Sequence, residues 1–269
     1  MKISEEGIKH LTPNVLHMLE KATGISDPQS WSNALSLVAK SEHDRLEWWL
    51  SSDNQDIYAW SDALKYDWNK KTEGRGVTIG LVGFTTHADG KPTGDAQGLF
   101  DDYVKLGGKD LGPMSKDCAS DKDACEKLIK EIKKIGHDDK WIQAQWNRLV
   151  SKGGSGYIYE AMNICKKNGI EKPSALTLAA LFDCSLNQGA TGNDGSRDIA
   201  QKVGNTKNET EFLRGFLKIR LPIAGKNAFN DPPVNGKNRV KQFIDLLDAG
   251  SMDLKDDGLI KKVTSWEMK

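Results

Sequence analysis

One amphipathic stripe constrains this chain more than any other feature. Apolar residues recur at Trp31, Leu35, Val38, Leu46 and Trp49, with Glu42 standing where another apolar residue is due. The steps between these six positions are 4, 3, 4, 4 and 3, the spacing of a single helix face. Asp27 and Pro28 supply a cap and a first-turn residue at its start. A carboxylate on such a face is desolvated, which favours its neutral form. Glu42 is therefore a candidate acid. The plainer alternative is that the helix stops near Ser41 and Glu42 caps it or faces water.

The pattern elsewhere is also helical. Thr12, Pro13 and Gly24 bracket a helix over 13–21, and Tyr58, Trp60, Leu64 and Trp68 are spaced like another helix face. Further helices are expected over 97–105, 121–135, 139–150, 158–168, 174–186, 210–221, 236–248 and 257–266. Val77 to Thr86 breaks the pattern. It reads V-T-I-G-L-V-G-F-T-T, β-branched residues with glycines at the bends, and predicts a strand pair or a bent strand. The fold class expected is mainly α with a small β-sheet near 73–100. We expect one catalytic domain over 1–269, built of two lobes with a cleft between them, since clefts house most binding sites.

Composition excludes several functions. Lys plus Arg and Asp plus Glu each number 38, so no net basic charge points to nucleic acid. No apolar run is long enough for a transmembrane helix. The opening MKISEEGIKHLTPN is polar and lacks the apolar core of a signal peptide, so the expectation is no export by that route, a removed signal, or a domain cut from something larger. Cys118, Cys125, Cys165 and Cys184 lack metal-ligand spacing and read as ordinary thiols, with one disulfide open if the protein works outside the cytosol. No metal or other cofactor is implied.

The second candidate for chemistry is the segment Glu73-Gly74-Arg75-Gly76-Val77-Thr78-Ile79-Gly80. It is no dinucleotide fingerprint, because Ile79 occupies the sixth position and the strand follows the glycines. It offers a carboxylate at the mouth of a strand, an arginine beside it, and Thr78 further along. A desolvated acid at Glu42 and an ionised base at Glu73 form the pair that glycoside hydrolysis needs. The acid protonates the leaving oxygen; the base activates a water that Thr78 helps to hold. Glu73 as an ordinary surface-turn residue is the bland alternative.

These features resemble the family 46 glycoside hydrolases, the chitosanases of the lysozyme superfamily. The resemblance rests on Ser41-Glu42 with Leu46 and Trp48 downstream, and on G-R-G-x-T-x-G preceded by a carboxylate. It extends to T-G-D at 93–95, L-N-Q-G-A-T-G at 186–192, N-G-K-N-R-V-K-Q at 235–242 and W-E-M-K at 266–269. It is strongest to the bacillus branch and covers nearly the whole chain. It implies Glu42 as general acid, Glu73 as general base, Thr78 as the water-positioning threonine and Asp95 as the carboxylate that meets a substrate amine. Arg75 neighbours the base, supports the local fold and joins Asp95 among the substrate-binding positions. It also implies two mainly helical lobes and an inverting mechanism.

The chain departs from the family pattern in three places. The base is Glu instead of Asp, the 31 positions from Glu42 to Glu73 are more than usual, and the loop before Asp95 is extended. With the missing export signal, these departures tilt the expected substrate toward peptidoglycan, as for a lysozyme-type lytic domain of a larger bacterial effector. Chitosan is the alternative, and a non-catalytic glycan-binding domain using Trp60 and Trp68 is a third reading. All place the protein outside the producing cytoplasm, secreted or delivered to a target cell envelope, with a polysaccharide as partner and neither nucleic acid nor a membrane span. Arg220 and Arg239 are expected to be structural, and His87 to be exposed.

Overall fold

A computed structural model describes residues 2–52, 76–88, 91–118, 121–152, 156–224 and 238–266. Among them are helices α1 (Ile3–Ile8), α2 (Pro13–Thr23), α3 (Pro28–His43) and α4 (Trp48–Ser52), then strands β1 (Thr78–Ile79) and β2 (Phe84–Thr85). Helices α5 (Ala96–Lys105), α6 (Gly112–Asp117), α7 (Lys122–Lys134), α8 (Asp139–Val150) and α9 (Tyr157–Lys167) follow. The last are α10 (Ala175–Gln188), α11 (Ser196–Val203), α12 (Glu209–Ala224), α13 (Lys241–Asp248) and α14 (Asp257–Val263). The fold is mainly helical with a small two-stranded sheet. No described helix is long and apolar enough to cross a membrane.

The chain divides into two compact units, one of residues 1–48 with 157–269 and the other of residues 49–156. The first is organised around α10. Its sequence, ALTLAALFDCSLNQ, is apolar nearly all round, and every residue from Ala175 to Ser185 is buried. A helix without a polar face has to be surrounded. Helices α3, α9, α11, α12 and α13 pack against it. Asp257 ties the two ends of the chain together: its carboxylate accepts from Ser4 Oγ at 2.7 Å and from Asn33 Nδ2 at 2.9 Å.

Helix α3 starts as its sequence predicts, with Asp27 accepting from the Ser30 N–H at 2.8 Å and Pro28 in the first turn. It ends earlier than the stripe suggests. Asp44 adopts a left-handed φ of 52° and closes the helix, so Leu46 and Trp49 lie beyond it. Glu42 is in the last turn. Helices α1, α6 and α11 lie where no helix was expected. Each is at most 8 residues long, too short for periodicity to register.

In the second unit, α5 packs on α8, with Trp141 stacked on Phe100 at 6.2 Å and edge-on to Tyr103 at 5.3 Å. The Val77–Thr86 stretch is an antiparallel hairpin pairing Thr78 with Thr85 and Ile79 with Phe84. Gly80 and Gly83 both take φ +73°, and the Leu81 N–H between them donates to Gln145 Oε1 of α8 at 2.8 Å. The hairpin also meets α5 through Gly94. A Cβ there would lie 2.0 Å from the Thr85 carbonyl oxygen and 2.5 Å from the His87 nitrogen, both backbone atoms that cannot swing aside. Gly94→Ala is expected to lower stability by about 1–3 kcal/mol through overpacking. A urea midpoint displaced downward at unchanged slope would show it.

Candidate active site

Glu42 is not a carboxylate left among apolar neighbours. It is the outer end of a charged chain that runs into the core. Asp183, on the buried α10, has no exposed surface. Arg220 of α12, equally buried, donates from Nη2 to Asp183 Oδ2 at 2.6 Å. Arg239, ahead of α13, donates from Nε to both Asp183 oxygens, at 3.1 and 3.0 Å, and from Nη2 to Oδ1 at 3.0 Å. Arg239 Nη2 also donates to Glu42 Oε1. The Glu42 side chain is 25% exposed, so the network begins at the surface and ends in the core.

The elements that hold these groups follow from local sequence. Asn238 Oδ1 accepts from the Val240 and Lys241 N–H groups at 3.0 and 2.7 Å, an Asx-type turn that opens α13 and fixes Arg239 between them. Gln188, in the L-N-Q-G-A-T-G stretch, accepts from Arg220 Nε at 2.9 Å just before Gly189 ends α10. Gln242 Nε2 donates to the Leu37 carbonyl at 3.2 Å and to Ser41 Oγ at 3.0 Å, and its Oε1 accepts from Trp266 Nε1 at 3.2 Å. That clamp orients the last turn of α3, and with it Glu42.

Burial works against the charges. It pushes the Asp183 carboxyl up to about 6, even with Arg220 beside it, and it pulls the Arg239 guanidinium down to about 9. Direct pairing of Asp183 with Arg220 and Arg239 opposes that loss of charge. Arg220, Arg239, Asp183 and an ionised Glu42 balance; a protonated Glu42 leaves one positive charge in excess.

The second unit carries Thr78 and Asp95. Thr78 is half-buried on β1, opposite Thr85. Asp95 stands at the head of α5 yet does not cap it; its Oδ1 accepts from the Thr85 N–H at 2.7 Å. The hairpin thus brings Thr78 and Asp95 to either side of Thr85. Glu73 and Arg75 lie outside the described residues, as do Trp60 and Trp68. The other six tryptophans are buried, as core residues are expected to be.

His87 corrects an expectation. It is 2% exposed, not a surface residue, with Nδ1 2.8 Å from Thr86 Oγ1 and its ring against Gly76. The extended loop folds back because Thr86 pairs with Val77 in both directions: the Thr86 N–H donates to the Val77 carbonyl at 3.0 Å, and the Val77 N–H to Thr86 Oγ1 at 2.9 Å. Burial holds the imidazole below its ordinary pKa. Nε2 has no partner among the described residues, so an imidazolium would bury an unpaired N–H.

Sequence reasoning took Arg220 and Arg239 as structural without finding what they hold. The missed residue is Asp183. Its signal was available: a lone carboxylate in a helix otherwise apolar on every face.

The profile of glycosyl hydrolase family 46 matches residues 50–256. A chitosanase of Niallia circulans is 32% identical over 275 residues, covering 97% of this chain and 84% of that protein. A solved family 46 chitosanase of Gynuella sunshinyii, complexed with chitotetraose, superposes with a TM-score of 0.58 at 20% identity, covering 84% of this chain and 90% of that one. Native chitosanase from Bacillus subtilis MY002 gives a TM-score of 0.58 at 19% identity, covering 84% and 92%. Both solved structures share the fold.

Two measurements check the electrostatics. Asp183→Asn leaves two buried guanidiniums facing one carboxylate, and breaking a buried pair from one side costs about 3–5 kcal/mol. Chemical unfolding should report a loss of that size, while Arg214→Ala, which removes an exposed pair with Asp248, should barely move the midpoint. For His87, the folded pKa lies below the unfolded value of about 6.5. As pH falls through that value the unfolded chain binds a proton that the folded chain refuses, so stability drops on the acid side. His87→Gln should flatten this part of the stability–pH curve relative to the parent.

Proposed function

Since the chain belongs to glycosyl hydrolase family 46, and is therefore a glycoside hydrolase, we propose that it is an endo-acting, inverting chitosanase. The observation that carries the substrate is the similarity, across nearly the whole chain, to a protein named as a chitosanase. Nothing in the relatives supports peptidoglycan, which the departures from the family pattern had favoured. Delivery to another cell's envelope likewise finds no support. A polymer of this size is met outside the cell, so we place the activity there.

In the proposed mechanism Glu42 protonates the glycosidic oxygen. With the proton gone, its carboxylate stays bound to Arg239 and the four-group network reaches charge balance. The network therefore favours the state that follows proton donation. Glu73 takes a proton from a water that attacks the opposite face of the sugar, and Thr78 orients that water. Asp95, held by the Thr85 amide, pairs with a glucosamine ammonium. Arg75 supports the segment that carries Glu73. The one-step displacement inverts the anomeric centre.

Glu42→Gln should fold normally and lose activity by at least about a hundredfold. Glu73→Ala should lose it comparably, while Glu73→Asp retains part. Reducing-end release should occur on chitosan and not on purified peptidoglycan, and NMR of the first products should show the inverted anomer. Release from peptidoglycan alone would overturn the substrate, and an unimpaired Glu42→Gln would overturn the acid.

A further inference from the structure

Cys118 and Cys125 occupy one corner of the second unit. Cys118 directly follows α6 and Cys125 lies early in α7. The corner is wound tightly: the Asp121 N–H donates to the Asp117 carbonyl at 3.0 Å, and the Cys125 N–H to the Asp121 carbonyl at 3.3 Å. Both thiols are fully buried. Cys125 Sγ donates to the Cys118 carbonyl at 3.4 Å, which sets its sulfur against the residue that carries the other thiol. Cys165 and Cys184 differ. They lie on α9 and α10, where Cys184 Sγ donates to Gln188 Oε1 and burial pushes their thiols up to about 12 and about 11.

We propose that Cys118 and Cys125 are a modification site, the two halves of a disulfide that closes the α6–α7 corner when the protein meets an oxidising compartment. Four cysteines allow three complete pairings, and the geometry selects a single bond from them. A disulfide needs its Cβ atoms about 3.8 Å apart. With Cys125 Sγ 3.4 Å from the Cys118 carbonyl, the two residues are in direct contact across the corner, and the bond closes by rotation of the two side chains.

The chemistry is thiol–disulfide exchange with a small-molecule or protein disulfide. The Cys125 thiolate attacks one sulfur of the oxidant, forming a mixed disulfide and releasing the first oxidant thiol. The Cys118 thiolate then attacks the Cys125 sulfur and releases the second. Two cysteine protons and two electrons pass to the oxidant, which leaves as two thiols. Cys125 is the better first nucleophile, because a hydrogen bond from Cys118 holds its thiol below the ordinary cysteine range. The buried sulfurs become reachable while the chain folds, or when this short-helix corner opens locally.

The test uses the full chain and does not depend on its substrate. Protein equilibrated with oxidised glutathione is alkylated, weighed intact and digested with trypsin without reduction. Cleavage after Lys116, Lys122 and Lys127 yields the peptides 117–122 and 123–127. They should appear covalently joined, and the intact protein should carry two fewer alkyl groups than the reduced, alkylated control. The oxidised protein should melt about 5 °C above the reduced protein. Cys118→Ser and Cys125→Ser should each abolish that difference, while Cys165→Ser keeps it. Two alkylated peptides after oxidation, or a bond to Cys165 or Cys184, would overturn the assignment. So would equal melting temperatures of the two redox states. The parent comparison needs no variant, so a variant that misfolds does not remove the test.

Discussion

The structure depends on what it takes to keep Asp183 charged in the core. A carboxylate with no exposed surface, on a helix apolar all round, is tolerated only if its desolvation is offset by paired cations and hydrogen bonds. Arg220 and Arg239 supply both. They lie 19 positions apart, in α12 and ahead of α13, and Arg239 continues outward to Glu42, almost two hundred positions earlier in sequence. One buried charge thus sets the relation of α3, α10, α12 and the turn before α13. None of these could shift by a helical turn without leaving a guanidinium or a carboxylate alone.

The second unit relies on close backbone approach in place of charge. Glycines at 76, 80 and 94 let the hairpin meet His87, Gln145 and the head of α5 at distances that a Cβ would forbid. The same contacts bind Asp95 to Thr85, one strand away from Thr78. The T-G-D stretch is legible in these terms: Gly94 permits the approach and Asp95 uses it.

How much could be read from the sequence followed the physics of each signal. Caps with side-chain oxygens, as at Thr12 and Asp27, located helix starts to the residue. The end of α3 was missed because apolar spacing continued through Leu46 and Trp49 while Asp44 turned left-handed, and periodicity carries no information about φ. Glu42 was singled out because it broke a pattern. Asp183 broke a stronger one, but α10 was read for its length and not for the composition of all its faces. His87 was placed outside because its loop is polar in composition; its burial follows from the paired bonds between Thr86 and Val77, which no local pattern encodes. Glu73 and Arg75 lie outside the described residues and rest on sequence alone.

The pairing also alters the physical picture of Glu42 as the proposed acid. An acid in an apolar pocket holds its proton because the carboxylate is poorly solvated, and the same poor solvation opposes giving the proton up. Attachment to Arg239 works differently. Asp183 offsets part of the arginine's charge, so the guanidinium does not act on Glu42 as an isolated cation, yet it remains a donor to the carboxylate that proton transfer creates. In the proposed mechanism the buried pair beneath needs no reorganisation as charge develops on Glu42. A buried Asp183 contributes little to stability that apolar packing could not replace. What an apolar replacement could not do is hold Arg239 in place beneath the acid.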